Sequence, residues 1–302
     1  MRGPGQSCLG HGNRTGPSLK EMQIEVRLLE ESDIPAALRL KELAQWNQTE
    51  NDWLRLLRLE PSGCFCATFD GEVVGSTTTT TYRSELAWIG MVLVDPKRRQ
   101  LGIATRLMNA ALEYLAKAGV ATVKLDATPA GCSLYRRLGF KDESLIERWV
   151  GIAGSHNVSC SSLDTAVRGE ALIFDRHAFG AERSKLLEML IDDCCVTPLV
   201  TTTADGHLTG YGLAREGSAA VYAGPLLASS TDAATTLLDG LLSQVSGQRV
   251  YVDLNRNFTG GRKILTERGF LKQRDLVRMF YGQSSDAGSS PLIFAIAGPE
   301  LG

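Results

Sequence analysis

Arg99-Gln100-Leu101-Gly102-Ile103-Ala104 joins a strand-like run, Trp88 to Val94, to a strongly helical one, Ala104 to Lys117. A glycine-interrupted turn at this point leaves the first N–H groups of the helix without intrahelical partners, and the helix dipole favours negative charge at the same spot. The pattern [Arg/Gln]-x-x-Gly-x-[Gly/Ala] therefore reads as a phosphate cradle. Asp95-Pro96 ends the strand just upstream.

Another strand, Thr122 to Ala127, follows the helix, and then a short helix carries Leu134-Tyr135-Arg136-Arg137-Leu138-Gly139-Phe140. Together the loop and this Tyr-x-x-x-Gly-Phe element resemble the GNAT family of N-acetyltransferases, in which the loop holds the pyrophosphate of acetyl-CoA. The resemblance is strongest from Val92 to Phe140 and covers nearly the whole chain after residue 22.

At 302 residues the chain has room for about two domains of ordinary size. Its formal net charge is −2, so no cationic field recruits nucleic acid or an anionic membrane, and neither is expected as a partner. The longest apolar runs, such as Pro291 to Gly298, fall far short of the roughly 20 residues that span a bilayer. Seven cysteines include Cys64-x-Cys66 and adjacent Cys194-Cys195, with neither zinc-type spacing nor a disulfide framework. Reduced thiols in a cytoplasmic protein fit that usage. Of four histidines none lies between Met22 and Val150, which excludes a His-based metal or triad site in the first domain; no metal is expected. The first 20 residues hold five glycines, two prolines and no acid. Arg2, Arg14 and Lys20 give them the charge bias of a mitochondrial transit peptide, but so much Gly and Pro opposes its amphipathic helix, and a disordered tail over 1–21 is expected.

The first domain, 22–153, opens with a strand over Gln23 to Leu29 and a helix from Ile34 to about Trp46, capped by Ser32-Asp33. A shorter helix covers Thr49 to Arg58. Strands Cys64 to Phe69 and Glu72 to Tyr82 flank Asp70-Gly71, a hairpin signal, and Leu86 to Val94 leads into the cradle. Glu143 to Ile152 is expected as the domain's last strand. The order matches the GNAT fold, so the fold class is α/β with a mixed sheet. Residues 154–165 form a linker.

The second half repeats the plan in faded form: Val250-Tyr251-Val252-Asp253-Leu254-Asn255 parallels Val123 to Thr128, and Leu265 to Phe270 parallels Tyr135 to Phe140. A second hairpin crosses Asp205-Gly206. Asp175 to Arg183 looks like the start of the C-terminal domain of a two-domain GNAT subgroup. Tandem GNAT-fold domains follow, with the second, 166–283, degenerate and an extension over 284–302. Where the second half should repeat the cradle stands Pro225-Leu226-Leu227-Ala228-Ser229-Ser230-Thr231-Asp232, which lacks both the Arg/Gln and the glycines. Ser230 or Thr231 caps that helix and Asp232 repels phosphate, so one CoA per chain is expected. The second lobe then shapes the acceptor pocket or mediates dimerisation. Removing residues beyond about Asp164 should leave CoA affinity largely intact if the first domain stays soluble, and should weaken or broaden acceptor use.

Acetyl transfer to an amine needs the thioester held and polarised, the ammonium deprotonated and the departing thiolate protonated. The resemblance implies that backbone at Val92 and Val94 binds pantetheine and the thioester oxygen where the fourth and fifth strands splay. It implies that Arg99, Gln100, Leu101, Gly102, Ile103, Ala104 and Thr105 hold the pyrophosphate, and that Tyr135 returns a proton to the thiolate. A plain packing role for Tyr135 would look the same in sequence. For the base the choices are Asp126, Glu85, or a carboxylate acting through water. Cys132, near a helix N-terminus that would lower its pKa, would allow an acetyl-cysteine intermediate, whereas the family generally transfers directly in a ternary complex. Trp46 or Trp53 could hold an amine by cation–π contact or belong to the helix core. The implied function is N-acetyltransferase with acetyl-CoA as co-substrate and a small-molecule or peptide amine as acceptor; the rival is a non-catalytic acyl-CoA-binding or assembly module.

Overall fold

The computed structural model describes residues 24–288 and 290–302; the expected tail over 1–21 lies outside them. Strand β1 (Ile24–Leu28) is followed by α1 (Ile34–Leu43) and α2 (Glu50–Leu59). Asp33 precedes α1 without capping it, because its carboxylate accepts from Arg27 and from the Glu30 N–H instead. Thr49 and Asp52 close a reciprocal capping box on α2. Strands β2 (Phe65–Phe69) and β3 (Glu72–Tyr82) form the hairpin expected at Asp70-Gly71, both with positive φ. Then come β4 (Leu86–Val94), α3 (Ile103–Lys117), β5 (Thr122–Ala127), α4 (Pro129–Arg137) and β6 (Lys141–Ile152). Alternation along β4 sends Leu86 and Trp88 into a core with α1 and α2, and Ala87 and Ile89 into one with α3 and α4.

The remaining elements are β7 (Ser161–Ser162), α5 (Arg168–Phe179), α6 (Ser184–Asp192), β8 (Leu199–Thr202), β9 (Leu208–Arg215), β10 (Val221–Ala228), α7 (Thr231–Gln244), β11 (Arg249–Asn255), α8 (Gly261–Glu267), β12 (Leu271–Gly282) and β13 (Ile293–Ala295). The thirteen strands of the described residues join one sheet, in the order β1-β2-β3-β4-β5-β12-β6-β11-β13-β10-β9-β8-β7.

That order corrects two expectations. The segment Glu143 to Ile152 is a strand, but it does not complete the first lobe's sheet: β5 pairs with β12 from the second half, and β6 pairs with β12 and β11. The lobes have exchanged β6 and β12. The exchange carries matching ion pairs, for Arg278 on β12 lies opposite Asp126 on β5 and Arg148 on β6 lies opposite Asp253 on β11. A cut near residue 164 divides the chain but not the sheet. It would strip β5 of its antiparallel neighbour, which bears on whether the first domain stays soluble alone, the condition attached to its CoA affinity. Residues 284–302, expected as an extension, supply β13 and then run between the lobes, where Tyr82 and Trp88 donate to the carbonyls of Leu301 and Pro299.

Candidate active site

Strands β4 and β5 run parallel but pair only from Leu86 to Trp88 against Thr122 to Lys124, and then separate. At the point of separation β4 carries a bulge: Met91 and Val92 oppose the single residue Thr77, and Met91 has φ +52°. A bulge next to a strand opening turns backbone groups out of the ladder, where a ligand can meet them. Below it Asp95 accepts from the Lys97 N–H at 2.9 Å and from Arg39 at 2.7 Å, which fixes the turn into the loop.

Gln100 and Gly102 both have positive φ, +67° and +75°. Gly102 stands at the N-cap of α3 and offers no side chain to cap it. A Cβ there would meet nothing within 4 Å, so the glycine serves the left-handed turn and the open space before the helix rather than a close contact in the protein. Leu101 and Gln100 are exposed, Ile103 is buried against Leu107, and Arg99 is exposed.

A groove of about 450 Å³ runs from this loop along the opening. Of the residues singled out in the sequence, Val92, Val94, Arg99, Ala104, Asp126 and Tyr135 line it; Gln100, Leu101, Gly102, Ile103 and Thr105 do not. At its far end a chamber of about 40 Å³ shares Trp46, Val92, Asp126, Thr128, Tyr135 and Arg274 with it, and is closed by Gln48, Gly90, Met91, Arg148 and Glu300 among others.

Tyr135 lies buried on α4 with its ring edge-on to Phe140, and burial pushes its phenol well above the usual value, so the hydroxyl keeps its proton at neutral pH. The Asp126 side chain is wholly buried, although the residue lines both cavities. Both its oxygens accept from Arg278 at 2.8 Å, and Arg278 stacks over Trp88 at 4.6 Å and donates to the Gly288 carbonyl. Burial raises the Asp126 carboxyl against the opposing pull of Arg278. Glu85 is exposed in the turn before β4, at the strand end away from the chamber. Cys132 corrects the expected low pKa: its thiol is buried and donates to the Thr128 carbonyl at 3.4 Å, and burial raises it. Trp46 is half-buried and lines both cavities, whereas Trp53 is wholly buried in the helix core.

Two groups that local patterns did not reveal reach the chamber. Glu300 comes from the C-terminal segment; Gln48 donates to one of its oxygens at 2.9 Å and Arg215 lies 3.4 Å from the other. Its backbone packs so closely on β4 that a Cβ on Gly90 would fall 2.5 Å from the Glu300 Cβ, so Gly90 is glycine for that approach. Burial raises the Glu300 carboxyl, and Asp52, which shares Arg215, adds to the rise. Arg274 comes from β12. No motif marks either residue, because only the strand exchange and the path of the C-terminal segment bring them here. Among the described residues no cluster of His, Cys, Asp and Glu could hold a metal, and no helix is long and apolar enough to cross a membrane.

The second lobe repeats the geometry and closes it. Strands β10 and β11 are parallel neighbours only at Val221–Val250 and Tyr222–Tyr251, and β13 fills the opening beyond by pairing with both. Ser230 caps α7 by accepting from the Ala233 N–H at 3.1 Å. Pro225 to Ala228, expected within the faded loop, instead belongs to β10.

The family model described as "Acetyltransferase (GNAT) family" matches residues 27–140, and a second, "Acetyltransferase (GNAT) domain", matches 171–295. The chain is 26% identical over 285 residues to the "Uncharacterized N-acetyltransferase YitH" of Bacillus subtilis, covering 92% of this chain and 98% of that protein. Its fold is similar to that of a putative acetyltransferase from Pyrococcus horikoshii, with a TM-score of 0.76, 21% identity, and 96% of this chain and all of that one covered. It is also similar to a tandem GNAT protein from the clavulanic acid biosynthesis pathway, with a TM-score of 0.62, 15% identity, and 87% and 100% covered. Two matched domains in one polypeptide, on a sheet that repeats the same opening twice, place the chain in the GNAT family: it is an acyltransferase built from two GNAT domains in tandem.

Proposed function

We propose that the first lobe transfers the acetyl group of acetyl-CoA to a primary amine by direct attack in a ternary complex. The observation that carries this is the continuity of one groove from the uncapped start of α3 to Tyr135, through the opening of β4 and β5. Backbone of Arg99 to Thr105 would hold the pyrophosphate, and the unladdered backbone around Val92 and Val94 would hold the pantetheine and polarise the thioester carbonyl. The amine nitrogen attacks that carbonyl, the C–S bond breaks, and Tyr135 gives its proton to the leaving sulfur. The proton shed by the amine passes to Glu300 in the chamber, or through water to Asp126, whose side chain is buried behind the chamber wall. Of the two, Asp126 is the more tightly held, by a two-point guanidinium contact, and Glu300 has the longer partner distances. An acetyl-cysteine route finds no support at Cys132, whose thiol is raised and lines neither cavity. The second lobe binds no CoA in this proposal.

The test is release of CoA thiol from acetyl-CoA across a panel of amines, with calorimetric titration of CoA alongside. Turnover with at least one amine and one CoA per chain is the expected result. CoA binding without turnover on any amine would leave a binding module, and no CoA binding would remove the cradle.

A further inference from the structure

Arg274 is the fourth residue of β12, and in the β12–β6 pairing it stands directly opposite Arg148. Like charges placed opposite each other across a sheet are unfavourable unless each is compensated. Arg148 is compensated: Asp253 accepts from it at 2.8 and 2.5 Å and is fixed in turn by the Tyr222 hydroxyl at 3.1 Å. Arg274 is not. It is half-buried, its Nε is enclosed without a hydrogen-bond partner, and it makes no ion pair among the described residues. The carboxylates around it are already engaged, Asp126 by Arg278, Asp253 by Arg148, and Glu300 by Gln48 and Arg215. Burial and Arg148 both disfavour its charge. A guanidinium in that setting is stabilised by an anion that arrives with a ligand, and its fork suits a carboxylate.

Position says which ligand. Arg274 lines both the groove and the chamber, beside Trp46 and Tyr135, whereas Arg99 and Ala104 line the groove alone. It therefore faces the reacting end and not the phosphate loop. The chamber, at about 40 Å³, holds roughly three or four water-sized groups. Resting on the acetyltransferase proposal, we infer that the acceptor is a small amino carboxylate whose carboxylate is bound by Arg274 and whose amine points to the bulge of β4, between Glu300 and Tyr135. The second lobe thereby sets acceptor choice, through one side chain on the strand it lends to the first.

Calorimetry on the full chain loaded with CoA tests this with the common amino acids and the short ω-amino acids, each paired with its amide. At least one acid should bind tenfold or more tighter than its amide. Arg274→Gln should abolish that difference with amide binding unchanged within about twofold, and Arg274→Lys should restore part of it. Thiol release should follow the same pattern in kcat/KM for the acid. Equal binding of acids and amides by the unaltered protein, or an equal loss of both in Arg274→Gln, would overturn the inference. So would a change confined to the preference between acetyl-CoA and succinyl-CoA, which would assign the guanidinium to the acyl group. Failure of the acetyltransferase proposal would look different, as an absence of thiol release with every amine, while the acid–amide difference is read from binding alone.

Discussion

Replacing Arg278 by Met should leave Asp126 ionisable, fully enclosed and unpartnered, because both of its oxygens now accept from that one guanidinium. Burial already raises this carboxyl against the pull of Arg278, and without the guanidinium only the raising effect remains. A carboxyl whose folded pKa lies above its unfolded value costs nothing extra below the unfolded value, about 3.9, and progressively more as pH climbs towards the folded one. Each intervening pH unit adds at most about 1.36 kcal/mol, so the three units from pH 4 to pH 7 add at most about 4 kcal/mol. That agrees with the roughly 3–5 kcal/mol expected when one partner of a buried pair is removed. Urea unfolding at pH 4.5, 6 and 7.5 should therefore show a deficit in Arg278→Met that widens with pH, and Asp126→Asn with Arg278→Met should lose the pH-dependent part. A deficit below about 1 kcal/mol at pH 7, or one that does not shrink towards pH 4.5, would refute the pairing and with it the strength of the β5–β12 junction.

Gly102→Asp places a carboxylate before α3 at a position where a Cβ meets nothing; CoA affinity in calorimetry should fall at least tenfold, about 1.4 kcal/mol, with the fold intact. Tyr135→Phe keeps the ring against Phe140 and should change the melting temperature little while turnover falls by something like 10²; unchanged turnover returns Tyr135 to a packing role. Titration of the full chain should give one CoA, since β13 occupies the second opening; two bound would contradict that. A fragment ending near residue 164 lacks β12 and should show no cooperative unfolding by circular dichroism, and a sharp transition would count against the exchanged strands.

Local signals in the sequence carried much of the fold. The turn at Asp70-Gly71, the loop before α3 and the Gly-Phe elements in both halves are each determined within a few residues, by positive φ, uncapped N–H groups and helix ends. The partner of a strand is not determined that way. Strands β6 and β12 are each twelve residues long with an arginine eighth, and β5 and β11 each carry an aspartate fifth. Arg148 could satisfy Asp126 as well as Asp253 by pattern alone, so nothing in the residues distinguishes exchanged strands from unexchanged ones. The same ambiguity hid Arg274, which reaches the first lobe only because β12 does. Glu300 was hidden for a different reason: its place depends on Gly90 admitting backbone from a segment about two hundred residues away, a contact that no periodicity encodes.

The exchanged strands also set an order of events for a nascent chain. Asp126 and Arg278 are 152 residues apart, so at ordinary synthesis rates β5 waits on the order of ten to thirty seconds for its partner. Throughout that interval it is an open edge, and β6, made directly after it, offers an arginine at the matching position. Folding must keep β6 from settling there, or dislodge it, before β12 can enter. An edge left unfilled is equally open to β12 of another molecule, so slow release of the second half favours chains joined through a strand that each should have kept for itself.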